Sequence, residues 1–210
     1  MVKFPKEETK RNTLYMKVGK RLCVLIILFF ALIGAKAQNV ALKTNLLYDA
    51  FLTPNLGVEV GVAPKWSLEI TGNLNNWEIN NKRWKQWMVQ PEARYWFCSR
   101  FAGHFLAIHG IGGQYNFGNI NFGGNNFLGT NLKMLEDHRV QGWMAGAGIG
   151  YGYTWILSRH WSFEAEIGLG WIYTRYDEFK CQGCGQKIKE NVPHNYFGPT
   201  KAAFNLIYVF

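Results

Sequence analysis

The chain has 210 residues, 48% of them hydrophobic and 16% aromatic, with a formal charge of +9. That length suggests one domain with an appendage. The charge does not make a nucleic-acid surface. Residues 1–37 hold eight of the 23 Lys/Arg and two of the 14 Asp/Glu, so the remainder carries only +3, scattered along the chain.

The concentrated positive charge has the form of an export signal. Lys17, Lys20 and Arg21 precede a run of 12 mainly apolar residues, Leu22 to Ile33, which ends at Ala35-Lys36-Ala37. A basic stretch, a short apolar stretch and an A-x-A pattern define a secretory signal peptide. The run is too short to span a bilayer as a helix, which needs about 20 residues. Cleavage after Ala37 would separate an N-terminal extension and signal peptide (1–37) from a second region (38–210). Met16, just before the basic cluster, is a second candidate start. Cys23 lacks the small residues that precede a lipoprotein attachment site.

The remaining sequence reads as strands, because side chains alternate with a period of two. Asn39–Tyr48 is a first strand, with Val40, Leu42, Leu46 and Tyr48 opposite Lys43 and Asn45. Thr53-Pro54-Asn55 is a turn. Leu56, Val58, Val60 and Val62 alternate with Gly57, Glu59, Gly61 and Ala63, and Pro64-Lys65 turns the chain. Trp66, Leu68 and Ile70 oppose Ser67, Glu69 and Thr71, and the polar stretch 74–86 reads as a long loop.

A fourth strand covers Trp87–Phe97, with Gln90, Glu92 and Arg94 on one face. Pro91 argues against it, since proline cannot donate to a ladder. His104–Phe117 is a fifth, with two mixed faces. Residues 118–138 form the longest connection, with a short helical turn expected at Leu132–Glu136. In Val140–Trp155, Trp143, Ala145, Ala147, Ile149 and Tyr151 oppose a run of glycines. Trp161–Thr174 opposes Trp161, Phe163, Ile167, Leu169 and Trp171 to Ser162, Glu164, Glu166, Gly168 and Gly170. Residues 177–195 read as a polar loop, and Tyr196–Phe210 closes the set.

Phe204, Leu206, Tyr208 and Phe210 share one face of that last strand, up to the final residue. The alternation ending in Tyr-x-Phe resembles the C-terminal signal read by the bacterial outer-membrane insertion machinery. An ordinary core strand ending a soluble domain is the alternative.

The count is eight strands, with short turns (63–65, 98–103, 157–160) alternating with longer loops (74–86, 118–138, 177–195). The expected fold is all-β: an eight-stranded antiparallel up-and-down transmembrane β-barrel. A soluble barrel of the lipocalin kind would put the bulky apolar face inside. Eight strands enclose little room, so glycines should face inward and aromatics outward. Trp66, Trp87, Trp155, Trp161, Trp171 and Tyr173 then form interfacial girdles.

On this reading Lys43, Glu59, Glu69, Glu92, Arg94, Glu164, Glu166 and Lys201 all map to the interior. Buried charges need partners, so a salt-bridged plug is expected. An acidic lumen passing cations is the sharper alternative. Cys181 and Cys184 form a single CxxC, half of a zinc ribbon, with His194 as the nearby third ligand. In an oxidising compartment a local disulfide is the expected state, with metal or redox use as alternatives. Cys98, across the membrane, should stay unpaired. No cofactor is expected. His138, Asp137 and His194 lie near the outer rim, where lipid-modifying barrels carry Ser, His and acid, but no matching serine pattern accompanies them.

Several segments carry a family resemblance: Ala41-Leu-Lys-Thr-Asn-Leu-Leu-Tyr-Asp49, Thr53-Pro-Asn-Leu-Gly57, Val89-Gln-Pro-Glu-Ala-Arg-Tyr-Trp96, Gly103-His104, Gly112-Gly-Gln-Tyr-Asn116 and Asn195-Tyr-Phe-Gly-Pro-Thr-Lys-Ala202. Together they resemble a family of small outer-membrane barrels from Bacteroidota, domain of unknown function 3575, over residues 39–210. The resemblance implies an outer-membrane location and, from the gene neighbourhood of some relatives, a tie to fimbriae. It implies no catalytic residues. The expected function is structural or accessory, with a surface or fimbrial partner; a lipid-modifying enzyme and a narrow pore are the alternatives.

Overall fold

A computed structural model describes residues 40–210 except 80–81, 121–125, 128–129, 132–133, 182 and 184. The expected signal segment and the cleavage position at Ala37 lie outside the described residues. In chain order the elements are β1 (Val40–Asn45), α1 (Leu46–Ala50), β2 (Asn55–Ala63), β3 (Trp66–Ile79), β4 (Lys82–Trp96), β5 (Gly103–Gly118), β6 (Asn126–Phe127), β7 (Thr130–Asn131), α2 (Met134–Asp137), β8 (Arg139–Ile156), β9 (Trp161–Phe179) and β10 (Lys187–Val209).

Eight of these strands pair antiparallel in a closed ring, in the order β1-β10-β9-β8-β5-β4-β3-β2. The last strand closes on the first, with Ala41 opposite Val209 and Asn45 opposite Asn205. Closure gives each strand of the ring a ladder partner on both sides, with β10 meeting β1 over Asn205–Val209. The tiny β6–β7 hairpin stands apart from it. Residues 64–65, 97–102 and 157–160 make the short connections at one end. The opposite end, with α1, β6, β7, α2 and the far ends of the β3–β4 and β9–β10 ladders, is the loop end.

Burial alternates along the strands with the expected period. Ser67, Glu69, Gln90, Glu92, Arg94, Ser162, Glu164, Glu166, Lys201 and Asn205 are buried. Their neighbours point the other way and are exposed: Ile108 is 66%, Ile149 67% and Phe197 73% exposed. The polar face is the inner one, and the apolar face is the outer one.

Five features depart from the sequence reading. The first strand stops at Asn45, because its side-chain Oδ1 accepts from the Leu47 N–H (3.1 Å) and caps α1. Leu46 and Tyr48 therefore leave the ladder, although their spacing continues its alternation. The stretch 74–86 is strand, not loop, on either side of residues 80–81. There Trp77 and Trp84 sit directly opposite and stack at 5.9 Å, and Glu78 faces Arg83 at 3.1 Å. Such cross-strand pairs hold a polar hairpin together without an apolar face. The polar stretch 177–195 is likewise mostly β9 and β10, which pair as far as Phe179 and Lys187.

The long connection holds β6, β7 and α2, with the helical turn at Met134–Asp137 ending one residue beyond the expected Glu136; residues 132–133 lie outside the described residues. Finally, the inner face is not free of large aromatics. Trp96, Phe101 and Phe105 are buried at the short-turn end with Ala41, Ala107 and Ile207. Gly152 provides the space, since a Cβ there would overlap the Phe105 ring. Pro91 is accommodated within β4. It stands opposite Ile70 of β3, while the ladder to β5 skips Gln90 and Pro91.

Candidate functional site: the buried charge cluster

All eight charged residues expected inside the ring come together in one cluster. Arg94 of β4 is its hub and is fully buried. Its Nη1 donates to Glu164 (2.8 Å) and Glu59 (3.2 Å), its Nη2 to Glu166 (2.8 Å) and Glu69 (2.9 Å), and its Nε to Glu92. Only a guanidinium, with five N–H donors in a planar fork, can serve so many acceptors at once.

Two lysines complete the set. Lys43 of β1 reaches Glu59, Glu69 (3.0 Å) and Glu164 (3.1 Å). Lys201 of β10 reaches Glu92 (2.6 Å), Glu166 (3.0 Å) and Glu69 (3.5 Å). Neutral donors add to this. Asn205 Nδ2 donates to Glu164 (2.8 Å), Thr154 Oγ1 to Glu164 (3.0 Å), Thr71 Oγ1 to Glu69 (2.8 Å), and Ser67 Oγ to Glu59. Trp96 Nε1–H donates in turn to Ser67 Oγ (2.8 Å), tying the aromatic layer to the charges. Arg94 also lies 4.5 Å over the Phe105 ring.

The strands of the ring reach this cluster because alternation places one residue in two on the inner face, and closure aims those residues at a common axis. β8 contributes mostly glycine, and β9 adds Gly168 and Gly170 beside its two glutamates, which leaves the volume that the longer side chains occupy. A Cβ on Gly150 would lie 2.8 Å from Glu166 Oε1, and one on Gly168 would lie 2.7 Å from His109 Cε1.

His109 is the inner residue the sequence reading left unassigned. It is buried beside Glu92 (3.9 Å), and its Nε2 pairs with Thr200 Oγ1 at 2.9 Å. Its signal was the alternation of Phe105, Ala107, His109 and Ile111, hidden because the opposite face of β5 carries Gly110 and Gly112. The supporting roles of Ser67, Thr154 and Asn205 also went unread, since small polar residues carry no strong pattern.

Chemically, five carboxylates and three cations interlock side chains from six strands, with Thr154 adding β8 and His109 adding β5. A buried pair is costly to break, because the group left behind keeps its desolvation penalty without its partner. The arrangement therefore acts as a latch across the lumen.

The other marked residues lie elsewhere. His138 Nδ1 is 3.7 Å from Glu178, which also meets Lys189 at 2.9 Å. Cys98 is free and exposed in the turn after β4. Cys181 is disulfide-bonded; Cys184 lies outside the described residues. At the loop end, beyond Trp171, Lys187 pairs with Asp177 and with Glu190, both at 2.9 Å. The Lys187 hydrogen bond, helped by the Asn191 N–H, holds the Asp177 carboxyl below the usual range.

A family model described as a protein of unknown function (DUF3575) matches residues 23–210. The chain belongs to that family. No curated protein and no solved structure matches this DUF3575 member. Its latch residues Glu92 and Arg94 fall in the segment Val89–Trp96, and Lys201 in Asn195–Ala202, two of the segments that carry the resemblance.

Proposed function

We propose that this DUF3575 member is a small outer-membrane β-barrel, exported by a signal peptide cleaved after Ala37, with a structural or accessory role rather than a catalytic one. The observation that carries this reading is the inverted partition of the two faces. Arg94, Glu59 and Glu164 are fully buried while Ile108, Ile149 and Phe197 are about two-thirds exposed or more. Exposed apolar area costs roughly 25 cal/mol per Å² in water. Monomeric soluble proteins keep such patches to a few hundred Å². In hydrocarbon the same surface carries no penalty, and a closed ring satisfies its backbone there.

Aromatic side chains mark two belts. Trp66, Trp155 and Trp161 lie towards the short-turn end, and Trp87, Trp143 and Trp171 towards the loop end; all six are partly exposed. Phe204 and Phe210 are exposed on the closing strand, where the insertion machinery would meet Phe204, Leu206, Tyr208 and Phe210. The latch and the Trp96–Phe105 layer fill the interior, which supports a sealed barrel rather than a pore. The loop end, with its extended hairpins, is the face offered to a surface or fimbrial partner.

Membrane fractionation with gel analysis tests this reading. The protein should sediment with outer membranes and migrate faster unheated than boiled, and planar-bilayer recordings should show no discrete conductance. Recovery in the soluble periplasm would overturn it.

A further inference from the structure

At the loop end the wall of the ring is incomplete. The inward residues Asn75, Gln86, Tyr115, Gly142, Tyr176 and Val192 stand opposite one another in turn, from β3 through β4, β5, β8 and β9 to β10. All but Val192 line an open concavity of about 960 Å³ within the ring, to which β1 and β2 add no residue. Those two strands stop below it. β1 last meets β10 where Asn45 stands opposite Asn205, and β2 last meets β3 where Asn55 stands opposite Asn73. The Asn45 side chain carries the ladder one step further. Its Oδ1 accepts from the Phe204 N–H (3.2 Å) and its Nδ2 donates to the Ala202 carbonyl (3.2 Å). From there to Lys187, β10 has β9 on one side and, among the described residues, no strand on the other.

Two prolines show which backbone groups face the open side. In an antiparallel ladder the N–H and C=O of one residue point to the same neighbour, and those of the next residue point to the opposite one. Pro193 and Pro199 stand in register with Arg175 and Leu169 of β9. Neither has an N–H to give, so each belongs where that group would point off the edge. Pro193, Asn195, Phe197 and Pro199 therefore turn their backbone groups away from β9, and all four residues are exposed. The Tyr196 hydroxyl takes the Pro199 carbonyl (3.2 Å). What remains is a window: the Pro193 carbonyl and the N–H and C=O of Asn195 and Phe197. Trp171 of the loop-end belt donates its Nε1–H to Asn195 Oδ1 (3.1 Å), which sets the window at the belt rather than within hydrocarbon, where open edges do not occur.

We propose that this edge of β10 receives an extended peptide strand from a partner protein, which continues the wall beside the concavity. An extended backbone is the ligand that presents donors and acceptors at this spacing. The strand runs antiparallel to β10, in the direction of β1, whose place it extends. Its residue opposite Phe197 turns outward and is apolar. Its next neighbours turn towards the ring interior, where Asn75, Tyr115 and Tyr176 favour polar side chains. The prolines keep the window short, so it admits one peptide without offering the long flat edge on which sheets aggregate. This inference deepens the accessory role proposed above and rests on the loop end meeting a partner; the free edge itself does not require membrane insertion.

The test is hydrogen exchange of the detergent-purified protein, followed by NMR, with a pool of synthetic peptides of about six residues that alternate apolar and polar side chains. Without peptide, the Asn195 and Phe197 amides should exchange fast, while those of Tyr196 and Gly198, which face β9, stay protected. The pool should slow Asn195 and Phe197 by about tenfold or more. N-methylation of the apolar residues, whose N–H groups face β10 in this pairing, should abolish that effect, and N-methylation of the polar residues should preserve it. Phe197→Pro, which removes an edge N–H and no ladder bond, should abolish it at Asn195 with heat-modifiable migration unchanged; if that variant fails to fold, the methylated pools decide. Protection by the apolar-methylated pool would overturn the proposal in favour of adsorption on Phe197, and no protection by the parent pool would also overturn it. Asn195 and Phe197 amides protected before peptide is added would show an edge already covered, by a second copy if the protection falls on dilution, and would overturn it too. None of these failures bears on the fractionation result.

Discussion

Replacing Arg94 with methionine should be the most damaging single change within the ring. The substitution keeps much of the side-chain volume and removes the charge. Arg94 touches five carboxylates within 3.2 Å. Without it, Lys43 and Lys201 alone would face Glu59, Glu69, Glu92, Glu164 and Glu166. Breaking a buried pair by deleting one partner costs about 3–5 kcal/mol. That lowers the folding equilibrium constant by roughly two to three and a half decades. The assay is urea unfolding of protein refolded into short-chain lipid vesicles, followed by tryptophan fluorescence and by heat-modifiable migration. Arg94→Lys should fall between parent and Arg94→Met, because one ammonium keeps the charge but cannot reach all five acceptors. Glu164→Gln should destabilise the parent yet recover part of the loss in the Arg94→Met background, a coupling of about 1 kcal/mol or more. Arg94→Met lying within about 1 kcal/mol of the parent, with Glu164→Gln costing the same in both backgrounds, would refute the latch.

Three further outcomes follow from the geometry. Gly146→Ala should destabilise by about 1–3 kcal/mol in the same urea assay, because its Cβ would overlap the Trp171 carbonyl oxygen and meet Ile172 Cα at 3.0 Å. Gly72→Ala, where nothing lies within 4 Å, should be neutral. The Asp177 carboxyl is depressed in the folded state by Lys187 and the Asn191 N–H. Its contribution to the β9–β10 hairpin is therefore present above the ordinary aspartate pKa and lost as pH falls through the lowered value. Lys187→Met should move the Asp177 titration upwards in carbonyl-detected NMR, and an unmoved titration would count against this pairing. Thiol labelling of the folded chain without residues 1–37 should give one reactive group in the absence of reductant, since Cys98 is free and exposed while Cys181 is oxidised; Cys98→Ser should abolish it.

The features that could be read in the sequence were those with a period. Trp161–Thr174 alternates so regularly that its inner glutamates are assigned from residue spacing alone, and the same holds for Glu59, Glu69 and Arg94. The β3–β4 hairpin escaped because its residues are polar on both faces, so their spacing carries no apolar–polar alternation. Its signal was a pair, Trp77 opposite Trp84, which is visible only once the strands are in register. Trp96 escaped because crowding is not uniform along the lumen. In fact Gly152 on β8 opens a local space in which Phe105 and Trp96 lie with ring centroids 4.8 Å apart.

The chain's alternation by itself determined the all-β class and which side chains share a face, because a strand turns successive residues to opposite sides whatever its neighbours are. Which inner residues meet was decided only by the closed ring. Lys43 and Glu164 pair across 121 positions of sequence, and Arg94 and Glu166 across 72. The height of each residue along the axis depends on the stagger between strands. That stagger is settled by the ladder hydrogen bonds and by the fit of glycine against long side chains, neither of which is written in the spacing of any one strand.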